Sequence, residues 1–137
     1  MNSHTFGTVI NCMDGRVQVP VIDWLKKNYD LDYIDTVTEP GPELVLAENS
    51  DNFTIQSLKR KVEISVSRHN SNLIAVAGHM DCAGNPADSR TKQEQITKAI
   101  GTVRSWEYSV RVVGLFVDED WEVRQIETGD TDSLSRS

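Results

Sequence analysis

The sequence predicts an α/β domain: a mostly parallel sheet flanked by helices, with an antiparallel hairpin at its C-terminal edge. Three observations carry that expectation. Short β-prone runs alternate along the chain with segments of helical apolar spacing. The run Leu73-Ile74-Ala75-Val76-Ala77 is apolar on both faces, as suits a central parallel strand covered by helices. Near the C-terminus, two further β-prone runs are joined only by the turn Asp118-Glu119-Asp120, the pattern of a hairpin.

In chain order, Thr8 to Cys12 is a short β-prone run that stops at the turn dipeptide Asp14-Gly15. Val19-Pro20 opens a helix whose apolar residues are Val21, Ile22, Trp24 and Leu25. A second strand spans Tyr33 to Val37 and runs into Glu39-Pro40-Gly41-Pro42, where two prolines and a glycine argue against regular structure. Leu44 to Ala47 read as one short helical turn. Ser50 or Asp51 caps a long helix carrying Ile55, Leu58, Val62 and Val66 at helical spacing, and Asn70-Ser71-Asn72 ends it. The central strand from Leu73 gives way to Gly78-His79-Met80-Asp81-Cys82-Ala83-Gly84-Asn85-Pro86, in which Asn85-Pro86 read as a cap and first helical position. The next helix buries Ile96, Ala99, Ile100, Val103 and Trp106. Val110 to Val117 and Trp121 to Ile126 form the closing hairpin. Residues 1–128 make one domain, and 129–137 are a polar C-terminal tail.

Composition narrows the function. At 137 residues the chain is the size of one domain, and 38% hydrophobic with 26% charged residues suits a folded, soluble protein. No apolar run approaches the roughly 20 residues of a membrane span, and no basic-then-apolar leader is visible, so a cytoplasmic location without membrane partners is expected. A net charge of −7 argues against nucleic acid as a partner. The one basic cluster, Lys59-Arg60-Lys61, reads as the solvated side of a helix. Two cysteines, Cys12 and Cys82, favour metal binding or simple burial over a structural disulfide in such a compartment.

The neighbours of those cysteines carry the chemistry. His79 and Cys82 are spaced as His-x-x-Cys, so one loop can offer both to one ion. Taken alone, that pair is equally compatible with an inert buried cysteine and a hydrogen-bonded histidine. Cys12 ends the first strand and opens Cys-x-Asp-x-Arg, bringing a third thiolate or imidazole ligand together with Asp14 and Arg16. Strand C-termini in α/β sheets are where such segments meet. A tetrahedral zinc with three protein ligands keeps a fourth position for water, the mark of a catalytic site.

Cys12-Met13-Asp14-Gly15-Arg16 resembles the Cys-x-Asp-x-Arg motif of β-class carbonic anhydrases, and Gly78-His79-Met80-Asp81-Cys82 resembles their His-x-x-Cys motif with its preceding glycine. The order of elements is similar over most of the chain. The resemblance implies a β-carbonic-anhydrase-like fold with Zn²⁺ held by Cys12, His79 and Cys82, and an Asp14–Arg16 dyad. It implies zinc-dependent reversible hydration of carbon dioxide to bicarbonate by zinc-bound hydroxide, in a homodimer or higher homo-oligomer. Two thiolates cancel the formal charge of Zn²⁺, so Asp14 is expected to orient the nucleophile while Arg16 holds its carboxylate. If Arg16 lets go, Asp14 can fill the fourth position, a resting form known in that family.

The sequence departs from the family pattern at two places. Gly15 stands where a small hydroxyl residue is usual. Thr38-Glu39-Pro40-Gly41 replaces an Arg-Asn-x-Gly segment, and a Glu39 facing the metal would repel bicarbonate. Two alternatives therefore accompany the hydratase: a zinc hydrolase of carbon disulfide or carbonyl sulfide, and a non-catalytic zinc module capped by Asp14. Elsewhere, Asp81 reads as a loop hydrogen-bond acceptor, His4 and His69 as exposed histidines able to shuttle protons, and Trp24, Trp106 and Trp121 as packing residues.

Overall fold

Strand order decides where a site can form in this sheet. The computed structural model describes residues 4–126, so the expected tail at 129–137 lies outside the described residues. Five strands, β1 (Phe6–Asn11), β2 (Tyr33–Thr38), β3 (Leu73–His79), β4 (Arg111–Val117) and β5 (Val123–Ile126), form one sheet in the order β2-β1-β3-β4-β5. β1 pairs in parallel with β2 and β3, β3 in parallel with β4, and β4 antiparallel with β5. The predicted architecture is therefore the observed one, including the edge hairpin. From β1 the chain moves outward to β2 on one side, then returns to β3 on the other. The C-terminal ends of β1 and β3 flank this switch point, where open α/β sheets leave a crevice.

Among the described residues four α-helices cover the sheet: α1 (Gln18–Tyr29), α2 (Pro42–Glu48), α3 (Asn52–Arg68) and α4 (Ser89–Arg104). Side chains alternate along each strand, so Ile74 and Val76 join one core while Leu73, Ala75 and Ala77 join the other. The first core packs Leu46, Ile55, Leu58, Val62, Ile96 and Ile100 from α2, α3 and α4. The second packs Val21 and Leu25 of α1 and also holds Cys12 and Cys82. β3 is buried along its whole length, as its unbroken apolar run requires. Each fully buried Leu, Ile or Phe here contributes about 1.5–3 kcal/mol relative to exposure.

The expected α3 forms, with Asp51 as its cap: the carboxylate accepts from the Thr54 amide at 3.2 Å and the Thr54 hydroxyl at 2.7 Å. On the same helix Arg60 and Lys61 are exposed, and Lys59 is half-buried. Three expectations are corrected. The short turn expected from Leu44 is a seven-residue helix that starts at Pro42. Proline lacks an N–H that the first helical turn leaves unpaired anyway, and Gly41 supplies the left-handed φ of 55° that precedes it. Asn85-Pro86 do not open α4, which starts at Ser89 with Asp88 accepting from the Thr91 amide at 2.8 Å. Trp106 lies past the end of α4, half-buried against the first core. No helix among the described residues is long and apolar enough to cross a membrane.

Candidate metal centre

Cys12 follows directly on β1, and two polar side chains fix the loop it opens. The Asn11 side-chain oxygen accepts from the Cys12 amide at 2.9 Å, and its amide nitrogen donates to the Val17 carbonyl at 3.2 Å. Gln18 donates to the carbonyls of Cys12 and Asp14 at 2.7 and 3.0 Å. His79 is the last residue of β3 and is 1% exposed. Asp81, at φ 57°, turns the chain so that Cys82 comes back towards Cys12. An antiparallel bridge between Cys82 and Asn85 then closes the loop, with the Asn85 amide donating to the Cys82 carbonyl at 3.2 Å.

The three expected residues converge. Among the described residues, the ligand atoms of Cys12, His79 and Cys82 form the one group of at least three His, Cys, Asp or Glu side chains suited to a metal, all within 4.8 Å of one another; Asp14 is not part of it. The two sulfurs are 3.8 Å apart and both cysteines are free. A disulfide needs about 2.05 Å, whereas two sulfurs each about 2.3 Å from a tetrahedral ion sit about 3.8 Å apart. The His79 Nδ1 lies 2.7 Å from the Met80 carbonyl, which only accepts, so Nδ1 carries the proton and Nε2 presents a lone pair. That Nε2 is buried with no hydrogen-bond partner among the described residues. Burial, together with the Cys12 sulfur beside it, pushes the Cys82 thiol up, while a hydrogen bond from the Gly84 backbone acts the other way. Two adjacent buried sulfurs and an orphaned imidazole nitrogen are a poor arrangement for neutral packing and a good one for a thiophilic cation. The donor set fits zinc.

Asp14 and Arg16 stand beside the cluster as the expected pair. Asp14 caps a short 3₁₀ turn (Gly15–Val17), accepting from the Arg16 amide at 2.9 Å. Its carboxylate also accepts from Arg16 Nε at 3.0 and 3.3 Å and from Nη2 at 2.7 Å. The Arg16 side-chain and backbone hydrogen bonds hold the Asp14 carboxyl down to about 2. Arg16 is shifted upward in turn by Asp14 and Asp81. Asp81 serves as the loop acceptor the sequence suggests, taking a bond from Arg16 Nη1 at 3.1 Å.

A cleft of about 380 Å³ opens on this site, lined by Cys12, Met13, Asp14, Pro40, Ala83 and Gly84. Glu39 is not among its lining residues, and its neighbour Pro40 forms part of the wall instead. The glycine at 84 is required there, since a Cβ would lie 2.8 Å from the Pro40 backbone. His69 pairs instead with Asp35 at 2.6 Å on β2, and His4 lies 4.0 Å from Asp32; neither lines the cleft. Trp24 and Trp121 are half-buried against the second core, and Trp121 in addition covers the Arg16 guanidinium at 4.6 Å.

Sequence reasoning missed a buried ion pair under the ligand loop. Glu43 of α2 and Lys92 of α4 are both fully buried, 3.6 Å apart. Lys92 donates to the Asn85 carbonyl, and the Asn85 amide donates to Glu43 and Gln95 at 2.7 Å each. One signal was available, because Lys92 sits one turn before Ile96 on the apolar stripe of α4.

Fold and site together define an α/β protein with a buried Cys-His-Cys cluster, fit to hold a metal, at the switch point of its sheet. A family model described as "Putative carbonic anhydrase" matches residues 2–127, and the chain belongs to that family. No curated protein matches the sequence. Among solved structures, the β-carbonic anhydrase CafA of the fungal pathogen Aspergillus fumigatus is similar, with a TM-score of 0.61 at 14% identity over 98% of this chain and 81% of that one. A structure from work on two tetrameric β-carbonic anhydrases of the filamentous ascomycete Sordaria macrospora gives 0.55 at 15% identity, over 93% and 83%. At such identities the likeness establishes the fold, which is that of β-carbonic anhydrases.

Proposed function

We propose that this protein is a zinc-dependent carbonic anhydrase, hydrating carbon dioxide reversibly to bicarbonate, with Cys12, His79 and Cys82 as zinc ligands and Asp14 and Arg16 as the dyad that orients the nucleophile. The observation that carries this reading is the convergence of the Cys12, His79 and Cys82 donor atoms beside a carboxylate already held by Arg16. Bound zinc supplies the Lewis acidity that makes water nucleophilic near neutral pH.

The chain's own groups supply the rest. The Met80 carbonyl fixes the tautomer and plane of His79. Asp14, whose carboxyl the Arg16 hydrogen bonds hold well below the usual carboxylate range, is ionised near neutral pH and only accepts hydrogen bonds, so it can orient a water or hydroxide by taking its proton-bearing side. So weak a base does not hold the released proton, which leaves to buffer. The apolar wall of Met13, Pro40 and Ala83 suits a neutral, linear substrate, and the anionic product meets the Asp14 carboxylate there. Assembly as a homodimer or higher homo-oligomer is part of this reading. It is supported by the tetrameric state of the similar Sordaria macrospora proteins and by Met13, an apolar side chain 62% exposed in the lining of the cleft.

Stopped-flow hydration of carbon dioxide across about pH 6.5 to 9, with metal analysis of the same sample, tests the proposal. A zinc-loaded protein with no rate above buffer overturns it. The apolar lining also favours a second substrate reading, carbon disulfide or carbonyl sulfide, which sulfide release detects. A non-catalytic module capped by Asp14 is disfavoured, because capping requires Asp14 to give up its hydrogen bonds to the Arg16 side chain.

A further inference from the structure

The half-exposed Arg16 side chain is held by three segments of chain. Asp14 takes bonds from its Nε and Nη2, the Asp81 carboxylate from Nη1 at 3.1 Å, and the Asp81 carbonyl from Nη2 at 3.2 Å. These contacts occupy four of the five N–H donors of a guanidinium. The Trp121 ring covers its face, 4.6 Å from the guanidinium carbon. Asp81 belongs to the loop after β3, and Trp121 to the turn between β4 and β5.

Both residues adopt left-handed backbone conformations, Asp81 at φ 57° and Trp121 at φ 62°. Non-glycine residues hold such conformations only where surrounding contacts demand it. The hairpin turn supplies those contacts for Trp121. Its amide donates to the Asp118 carbonyl at 3.0 Å, and the Asp118 carboxylate accepts from the Asp120 and Glu122 amides at 2.9 and 3.0 Å. The half-exposed Asp14–Arg16 pair is weak on its own. The exposed Asp81 carboxylate adds a weak bond of the same kind, and the Trp121 ring against the guanidinium carbon adds a contact that limits where the fork can point, so that it stays turned to the Asp14 carboxylate.

We infer that Asp81 and Trp121 are positioning residues, which hold Arg16 so that Asp14 stays in its Arg-bound orientation beside the metal cluster. The inference rests on the dyad role proposed above. It gives the C-terminal hairpin a part in the site that no ligand motif reveals: β5 and its turn carry the lid of the guanidinium. It also sets which of the two Asp14 arrangements is favoured, the one that leaves the cluster's fourth position free.

The test compares Trp121→Leu, which keeps apolar packing but removes the π face, with Trp121→Phe, which restores a π face, and with Asp81→Asn. Two readouts are taken on the zinc-loaded protein. The first is the Arg16 Nε–H resonance, whose chemical shift and solvent exchange report the ring above it and the bonds around it. The second is kcat, KM and zinc content in carbon dioxide hydration. Expected for Trp121→Leu are a displaced, faster-exchanging Arg16 Nε–H and a kcat lower by roughly 10- to 100-fold, at unchanged zinc content and nearly unchanged KM. Trp121→Phe recovers most of both, and Asp81→Asn shows a smaller loss because its backbone carbonyl contact remains. An Arg16 resonance indifferent to Trp121→Leu overturns the inference, as does a kcat that stays at the parent value in an active enzyme. If the parent itself hydrates no carbon dioxide, the proposed function fails while the Arg16 resonance still decides the clamp.

Discussion

The Lys92 ammonium lies 3.6 Å from the Glu43 carboxylate in a region sealed from solvent, and both side chains meet on Asn85, the residue that closes the Cys82 loop. Removing one partner leaves the other as an uncompensated buried charge, which costs more than the pair itself contributes. Lys92→Met should therefore destabilise the protein by about 3–5 kcal/mol, measured by urea unfolding. Adding Glu43→Met to that variant should recover most of the loss, because two apolar side chains replace two desolvated charges. A single variant as stable as the parent contradicts the buried pair.

The proposed ligands and the dyad should separate cleanly by metal content. Cys82→Ser and His79→Ala each remove a donor from a three-donor set, so bound zinc measured by mass spectrometry should fall well below one per chain. Cys82→Ser should also be less soluble, since its loop loses the point around which it is folded. Asp14→Asn should keep its zinc and lose turnover by roughly 100-fold, because an amide cannot accept at both oxygen positions opposite Arg16. Zinc loss in Asp14→Asn would speak for Asp14 as a ligand.

Two glycines near the site should differ in how they tolerate a side chain. At Gly84 an added Cβ meets the Pro40 carbonyl carbon at 2.8 Å and the Gly41 nitrogen at 3.0 Å, all backbone that cannot step aside cheaply. Gly84→Ala should cost about 1–3 kcal/mol and weaken zinc binding, since relief of the clash moves the Cys82 loop. Gly15 has nothing within 4 Å of its Cβ position. Gly15→Ala should therefore be near neutral in thermal unfolding, and parallel melting curves with and without zinc check both.

Much of this was legible because the relevant patterns are local. The ligand spacing His-x-x-Cys, the dyad spacing and the all-apolar β3 each depend on a few neighbouring residues, and the strand order follows from how such elements pack. Contacts between distant segments were not. Nothing in the sequence near Arg16 announces that Trp121, over one hundred positions away, covers it, and a tryptophan on an apolar pattern reads as packing. Asn85-Pro86 looked like a helix start because Asn and Pro favour that place. Tertiary contacts with Glu43 and Gln95 outweigh that preference, and Asp88 takes over the cap. The short α2 extends further than its sequence suggests because Pro42, a breaker inside a helix, is tolerated as a first helical residue.

Stability should depend on pH through the cap of α3, and the sign can be worked out. Asp51 accepts from the Thr54 hydroxyl and amide, side-chain bond first in weight, and both lower its carboxyl from the ordinary value of 3.8. The folded state thus binds this proton less readily than the unfolded chain. The stabilisation is fully present above the unfolded value and is lost as pH falls through the lowered folded one. Asp51→Ala should melt below the parent at neutral pH, with the gap narrowing as acid protonates the parent's carboxylate. Asp51→Asn still caps and has no charge to lose, so its melting temperature should approach the parent's at neutral pH and match or exceed it in acid. Thermal unfolding of the three proteins from about pH 2 to 7, spanning the ordinary carboxyl range, checks the sign. A gap between parent and Asp51→Ala that widens in acid would assign the cap a different electrostatic origin.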